Sequence, residues 1–386
     1  MVAAARGGIA LREVARRFGV ALATVRLWVA RAEGSRLDRV DFAAKPPGRP
    51  RPVNRSSQEL EDLVLTLRVQ LKDRSDLGEC GARAIHDSLK AEGLSPLPSA
   101  RTIGRILERR GALDGRKRTR RPAPPAGWYL PDLAARRAEL DSSDIVEGLV
   151  IRGGTHVEVL NATSLHGGLV ASWPMGVVTA KAAVEALVEH WRAFGLPAYA
   201  QFDNDTIFQG PHQHKDVVGR VARLCLGLGI VPVFAPPREP GFQAAIENYN
   251  GRWQAKVWAR FTHESLEGLE AQSGRYVAAS RLRAAARIEA APARRPFPEG
   301  WALDLQAAPR GRILYLRRTG AGGGVELLGR HFEVDATWPH RLVRAEVDLD
   351  AGQIRFYALR RRDPAHQPLL REVAYNTLSG KFTPFG

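Results

Sequence analysis

The chain has little cysteine and no long apolar run. Only two cysteines, Cys80 and Cys225, occur among 386 residues, and their wide separation excludes a disulfide framework or a Cys-x-x-Cys zinc site. No apolar run approaches the ~20 residues of a membrane-spanning helix, and the first ten residues lack the apolar core of a signal peptide. These absences predict a cytoplasmic protein whose two thiols are reduced.

Acidic residues are outnumbered by basic ones. The chain has 57 Lys and Arg residues against 41 Asp and Glu, which gives a formal net charge of +16 and a pI of about 10.5. Most of the excess lies before residue 140, whereas residues 140–262 are nearly neutral. A near-neutral middle between basic ends is typical of an active site flanked by polyanion-binding modules. We therefore expect double-stranded DNA as the partner, and no membrane.

Residues 1–44 are predicted to form a helix-turn-helix module. Apolar residues keep helical spacing on both sides of Gly19, which breaks the pattern and begins a turn. The second helix, Ala21–Ala32, would be the recognition helix of such a module and would present polar side chains to the major groove. An ordinary helical hairpin is the alternative.

Two basic linkers and a second helical module follow. Residues 45–55 are rich in Pro and Arg and are predicted to be extended. Residues 56–114 carry three helical patterns and are predicted to be a second helix-turn-helix module, with Ser99–Arg110 as its recognition helix. Residues 115–139 form a second basic linker suited to phosphate neutralisation. The side chains assigned to DNA contact in these four segments are Thr24, Arg26, Arg31, Arg49, Arg51, Arg101, Arg105, Arg116, Lys117 and Arg118.

Residues 140–262 show an alternation typical of an α/β domain. Three short apolar runs come first, and helical and strand-like segments then alternate to a closing helix. The predicted strands are Asp144–Ile151, His156–Asn161, Gly168–Pro174, Ala198–Phe202 and Ile230–Phe234, and the predicted helices are Thr179–Phe194, Val217–Leu228 and Gln243–Phe261.

Three carboxylates lie at the ends of predicted strands or in the closing helix of this domain. Asp203 ends the fourth strand, Asp144 opens the first, and Glu247 lies in the closing helix. With the element order, these residues resemble the catalytic core of the DDE transposase and retroviral-type integrase superfamily, which has a ribonuclease-H-like fold. The resemblance implies that Asp144, Asp203 and Glu247 hold Mg²⁺ (or Mn²⁺), with two ions expected, because hard oxygen ligands suit such ions. Asp141 is the alternative first aspartate.

The chain departs from the family pattern in several places. The usual Asp-Asn-Gly after the fourth strand is Asp203-Asn204-Asp205, and Asn161 stands where many relatives have Asp. Residues 235–242 resemble the loop before the glutamate helix. The resemblance assigns further DNA contacts to Arg238, Arg252 and Lys256.

The remaining residues are predicted to form two further segments. Residues 263–300 read as a helical connector and linker, and residues 301–386 as a small antiparallel β-barrel made of short apolar runs separated by turns. The complete chain is thus predicted to be a multidomain protein with α-helical helix-turn-helix modules, an α/β ribonuclease-H-like core and a terminal barrel.

The resemblance implies a DNA transposase or integrase of an insertion sequence. Such an enzyme binds element ends, cleaves DNA strands and joins them to target DNA, and it is expected to be a homo-oligomer on DNA. Two alternatives stay open: a catalytically inactive, transposase-derived DNA-binding regulator, and a ribonuclease-H-type nuclease. The carboxylate triad separates the enzyme from the regulator, and the N-terminal modules separate it from the nuclease.

Overall fold

The computed structural model describes two compact units. Their residues are 1–63 and 64–386, and the described parts of the chain are residues 1–43, 56–113, 125–211, 214–239 and 241–375. No helix in those parts is both long and apolar enough to cross a membrane.

The first unit begins with three short helices, α1 (Val2–Arg6), α2 (Leu11–Phe18) and α3 (Leu22–Ala32), and a 3₁₀ turn follows at Leu37–Arg39. Gly19 ends α2 in the left-handed region, with φ of 63°, which glycine adopts without strain. Val14 and Val25 are fully buried between the helices. The two helices and the turn of the predicted module are therefore present, and its role in binding DNA stays a prediction.

Three more helices follow: α4 (Gln58–Arg74), α5 (Ala82–Ala91) and α6 (Ala100–Arg109). The hydroxyl of Ser99 accepts a hydrogen bond from the amide of Thr102 and caps α6, as its sequence predicts. The guanidinium of Arg68 donates to the carbonyls of Cys80 (2.7 Å) and Ala112 (3.0 Å). This side chain ties the second half of α4 to the start of α5 and to the residues after α6.

A large mixed sheet organises the second unit. Its elements in chain order are α7 (Pro131–Ala134), β1 (Leu140–Val150), β2 (His156–Ser164), β3 (Val170–Met175), α8 (Ala180–Phe194), β4 (Tyr199–Phe202), α9 (Thr206–Gln209), α10 (Arg220–Gly227), β5 (Val231–Phe234), α11 (Ala244–Trp253), α12 (Leu266–Glu289), β6 (Arg312–Arg318), β7 (Gly324–Leu327), β8 (Arg330–Glu333), β9 (Leu342–Asp348), β10 (Gln353–Ala358) and β11 (Leu369–Ala374). The strand order is β11-β10-β9-β6-β5-β4-β1-β2-β3, and β7 and β8 form a separate hairpin.

The first five strands have the arrangement of a ribonuclease-H-like core. Strands β1, β2 and β3 are antiparallel neighbours, whereas β4 is parallel to β1 and β5 is parallel to β4. This part of the structure is consistent with the predicted α/β core.

Helices cover both faces of the sheet. Trp191 of α8 packs with Phe202 and Phe234 in one buried cluster, and Trp253 of α11 packs with Val146 and Val159 in another. Neighbouring residues Ile145 and Val146 of β1 belong to different clusters, because successive side chains of a strand point to opposite faces.

The prediction of a separate terminal barrel is wrong, because strands β6, β9, β10 and β11 belong to the same sheet as the first five strands. Strand β6 pairs in parallel with β5, through Val233 with Leu314 and Phe234 with Tyr315. Strands β9, β10 and β11 then extend the same sheet in antiparallel order. Apolar residues that alternate along these strands suit any half-buried sheet, so their pattern did not reveal that they join the core.

Several element boundaries also differ from the sequence prediction. Strand β1 begins at Leu140, so Asp144 lies within the strand and does not open it. The helix α11 ends at Trp253 and continues as a π-helical segment, Gln254–Trp258. The last strand, β11, was not predicted.

Candidate functional site

Strand register places Asp144 beside the end of β4. Parallel pairing aligns Asp141 with Ala200 and Ser142 with Gln201. Two residues further along, Asp144 in the middle of β1 therefore lies beside Asp203, which directly follows β4. Side chains two residues apart on a strand share a face, so Asp144 lies on the face of Ser142.

Asp203 is held at the start of a short turn. One of its carboxylate oxygens accepts a hydrogen bond from the amide of Asp205 (2.9 Å), and Asp205 in turn caps α9 by accepting from the amide of Ile207 (2.7 Å). Asp205 has φ of −61°, which any residue adopts. Glycine is therefore not required at this position, and the departure from Asp-Asn-Gly is accommodated without strain.

Helix α11 supplies the third carboxylate and an amide. Glu247 lies in its first turn on the exposed side. One helical turn later, Asn250 donates through Nδ2 to Oδ2 of Asp144 (2.7 Å). Asn161, the cross-strand partner of Asp144, donates to the other end of the Asn250 amide (2.9 Å). This chain of amides fixes the orientation of the Asp144 carboxylate.

Burial and neighbouring carboxylates both raise the pKa values of the two aspartates. Burial and then the charge of Asp203 raise the pKa of Asp144 to about 6, with Glu247 adding to the effect and hydrogen bonds from Ile145 and Asn250 opposing it. Burial also raises the pKa of Asp203, and the charge of Asp205 adds to it. Like charges near one another disfavour ionisation, and a bound cation removes that penalty.

Asp141 occupies a different environment on the opposite face of β1. Its oxygens accept two hydrogen bonds from Arg294 (2.9 and 2.5 Å) and one from the indole of Trp191 (2.9 Å). Burial alone would raise the pKa of Asp141, but the charge and hydrogen bonds of Arg294 outweigh it and the pKa is lowered. This carboxylate is neutralised within the protein, which favours Asp144 as the first acid of the site.

The donor set of Asp144, Asp203 and Glu247 suits a hard divalent cation. It consists of carboxylate oxygens, which such ions prefer as ligands, and the pKa of Asp144 is raised first by burial and then by the charges of Asp203 and Glu247. In the described parts of the chain, no three His, Cys, Asp or Glu side chains stand close enough together to hold an ion as they are. The carboxylate oxygens of Asp144 and Asp203 are of the type that such an ion prefers, and the exposed Glu247 side chain would have to turn toward them to complete a site.

Comparison with known proteins finds similarity in structure only. No family model and no curated protein matches the chain. Among solved structures, it is similar to the catalytic core domain of BIV integrase, with 17% identity over 36% of this chain and 80% of that chain and a TM-score of 0.27. It is also similar to the simian T-cell lymphotropic virus intasome in complex with the PP2A regulatory subunit B56 gamma, with 14% identity over 82% of this chain and 100% of that chain and a TM-score of 0.33.

A third similar structure is the HTLV-2 integrase catalytic core domain in complex with magnesium, in its dimeric form. The identity is 11% over 36% of this chain and 82% of that chain, with a TM-score of 0.26. These similarities are similarities of backbone structure. Any inference about chemistry depends on the residues described above.

The loop before α11 is held at two positions, Glu239 and Phe242. Phe242 is buried against the rings of Trp128 and Tyr129, each with a centroid separation of 5.4 Å. Glu239 forms ion pairs with Arg318 and Arg361. Arg238, which directly precedes Glu239, is exposed and has φ of 58°.

The predicted DNA contacts on the first unit differ in their surroundings. Arg26 is exposed on α3, and Thr24 is half-buried. Arg31 donates to the carbonyl of Ala43 (3.0 Å), and its guanidinium lies 5.1 Å from the ring centroid of Trp28. Arg31 is therefore engaged within its own unit.

The contacts predicted elsewhere are equally varied. Arg101, Arg105 and Arg252 are exposed, whereas Lys256 donates to the carbonyl of Gly78 (2.7 Å). Five predicted contacts lie outside the described residues: Arg49, Arg51, Arg116, Lys117 and Arg118.

Two residues of the site region were not predicted from the sequence. Asn250 follows Glu247 by three residues, and residues at that spacing share a helix face, so a signal was present. Arg294 lies in a linker 153 residues after Asp141, and no local pattern indicates that the two residues meet.

Proposed function

We propose that this chain is a DDE-type DNA transposase or integrase. It binds the ends of a mobile element and catalyses Mg²⁺-dependent DNA strand cleavage and strand transfer. The observation that carries the proposal is the carboxylate of Asp144, which is oriented by Asn250 and has its pKa raised to about 6 by burial and by the charges of Asp203 and Glu247. Carboxylates with perturbed pKa values on neighbouring chain segments are typical of functional sites.

Each residue has a distinct part in this proposal. Asp144 and Asp203 would hold Mg²⁺ or Mn²⁺ from adjacent strands, and Glu247 would complete the set from α11. When bound, two such ions would assist deprotonation of the attacking hydroxyl and neutralise charge on the leaving oxygen. Asn250 keeps Asp144 in place, and the Asp205 amide does the same for Asp203.

The excess of basic residues supports DNA as the substrate. The net charge of +16 is concentrated away from the site, and such basic regions bind phosphates without regard to sequence. The helical modules would select the element ends, and the enzyme would assemble as a homo-oligomer on them.

The direct test uses labelled duplexes from the DNA that flanks the encoding gene. Purified full-length protein is incubated with them in Mg²⁺, Mn²⁺ or EDTA, and nicked and joined products are separated on denaturing gels. We expect products that need a divalent ion and a duplex containing the element end. Sequence-specific binding with no cleavage in either metal would overturn the enzymatic proposal.

A catalytically inactive DNA-binding regulator is the second candidate. It is favoured by one observation: no three potential ligands among the described residues are close enough to hold an ion as they stand. Calorimetric titration with Mn²⁺ separates the two candidates, because the enzyme should bind the ion through Asp203 and Asp203→Asn should weaken that binding. A regulator would show no difference between the two proteins.

A further inference from the structure

A basic cleft lies beside the C-terminal strands. Its volume is about 310 Å³. The end of β6, the start of β9 and the turn after β10 contribute arginine side chains to it. The four arginines that line it are Arg318, Arg341, Arg360 and Arg361.

An indole positions two of these arginines. The guanidinium groups of Arg341 and Arg360 lie 4.6 and 5.1 Å from the ring centroid of Trp338. Trp338 is itself fixed, since it is buried and its indole donates to the carbonyl of Leu342 (3.1 Å). A guanidinium over an aromatic ring keeps N–H groups in its plane for an anion. Arg341 and Arg360 are exposed, so an incoming anion can reach them.

One carboxylate opposes this positive charge among the described residues that line the cleft. Glu239 pairs with Arg318 and with Arg361, the second at 3.4 Å. Glu239 belongs to the loop that joins β5 to α11, and α11 carries Glu247. Ion pairs of Glu239 therefore connect the cleft to the loop that precedes the proposed active-site helix.

Resting on the proposed function, we propose that this cleft binds the phosphate backbone of duplex DNA and that Glu239 competes with the DNA for Arg318 and Arg361. Among the described residues that line the cleft, four guanidinium groups face one carboxylate, and this excess of positive charge suits an anionic ligand. The cations come from three separate chain segments, which suits the repeated charges of a DNA strand better than a single small anion. Bidentate arginine–phosphate contacts are strong and directional.

Competition between DNA and Glu239 for these arginines would also affect the loop before α11. When phosphates pair with Arg318 and Arg361, Glu239 loses its partners, and the loop before α11 is held by fewer contacts. DNA occupancy of the cleft would therefore loosen the segment that precedes Glu247.

The test measures DNA affinity in EDTA, so that it does not depend on metal binding or catalysis. A fluorescent duplex of unrelated sequence is titrated with the full-length protein over a range of salt. The double variant Arg341→Gln/Arg360→Gln should bind about tenfold more weakly, and its salt slope should fall by about two, one for each lost phosphate contact. The control is Arg355→Gln, an exposed arginine paired with Glu372 on β11, which should bind within about twofold of the wild type.

Glu239→Gln provides an effect of opposite sign. Removal of the competing carboxylate should tighten DNA binding by about threefold, a gain that misfolding does not produce. In a further titration, inorganic phosphate replaces chloride at equal ionic strength. Phosphate should displace only a small part of the bound duplex, because the cleft fits several phosphates of one strand. An unchanged double variant, a weaker Glu239→Gln variant or complete displacement by phosphate would each overturn the inference. Failure of strand cleavage alone would leave it standing.

Discussion

Asp141 and Asp144 lie three residues apart on β1, yet the two faces of the strand give them opposite environments. On one face, Arg294 and Trp191 neutralise and fix Asp141. On the other, Asp203 and Glu247 place more negative charge near Asp144. The pKa of Asp141 is lowered and that of Asp144 is raised to about 6. Residue type and strand are shared, so the surroundings decide that Asp141 is ion-paired within the fold and that the pKa of Asp144 is raised.

The strongest test of this contrast is catalytic. Asp144→Asn should reduce strand cleavage by about 10³-fold or more, since a lost metal ligand removes several kcal/mol of transition-state stabilisation. Any Asp141→Asn protein that folds should retain much more activity, because its carboxylate faces away from the site. Cleavage rates on the same end duplex measure both. Equal losses of cleavage activity would contradict the contrast. A loss confined to Asp141→Asn would exchange the roles of the two aspartates.

The second test concerns the free energy of unfolding. Asp141→Asn leaves Arg294 partly buried without its anionic partner, and loss of one member of a buried ion pair costs about 3–5 kcal/mol. Asp144→Asn should leave stability unchanged or increase it, because it removes repulsion. Urea denaturation monitored by circular dichroism measures the difference in the free energy of unfolding. The variant Arg294→Lys keeps a positive charge near Asp141 and shows how much of the loss a retained charge prevents. Similar midpoints for both asparagine variants would contradict the contrast.

The third test uses pH. The folded pKa of Asp144 is about 6, above its ordinary value of 3.8, so the folded state binds the proton more tightly. Wild-type stability should therefore fall as pH rises from about 4 through 6, by about 3 kcal/mol from this group. Asp141, with its lowered pKa, has the opposite sign and loses its contribution only as pH falls below about 4.

Unfolding of wild type and Asp144→Asn is compared at pH 4 and pH 7 in EDTA. The stability difference between the two proteins should widen at the higher pH. A constant difference would indicate that the neighbouring carboxylates do not act on Asp144.

The smallest expected effect comes from Asn250. Asn250→Ala removes the amide that orients Asp144, and loss of such an outer partner typically costs about 10–100-fold in metal affinity or activity. Mn²⁺ affinity measured by calorimetry, together with the cleavage rate, checks this. The control is Asn248→Ala, an exposed neighbour on the same helix, which should retain both properties.

Local patterns predicted much of this architecture. The helical spacing predicted α8 to within a residue, and in the structure the Thr179 hydroxyl caps this helix by accepting a hydrogen bond from the amide of Ala182. The five core strands were predicted in the observed order. Their ends were less accurate: β1 starts four residues before Asp144 because Leu140 and Asp141 pair with β4, a contact between distant segments.

Long-range partners explain what the sequence did not reveal. The pairing of β5 with β6 joins residues about 80 positions apart, and an apolar strand pattern predicts burial without naming the neighbouring strand. Asp141 and Arg294 present the same difficulty. The assignment of Asp144, Asp203 and Glu247 as metal ligands stays a prediction, as do the domain boundaries.

The link between β5 and β6 also bears on how the chain completes its fold during synthesis. Until Arg312–Arg318 leaves the ribosome, β5 is an edge strand whose backbone groups on one side lack their partners from β6. Exposed apolar edges invite pairing with other chains. A core that ends before residue 312 should therefore self-associate, and a soluble minimal core requires the strands that follow.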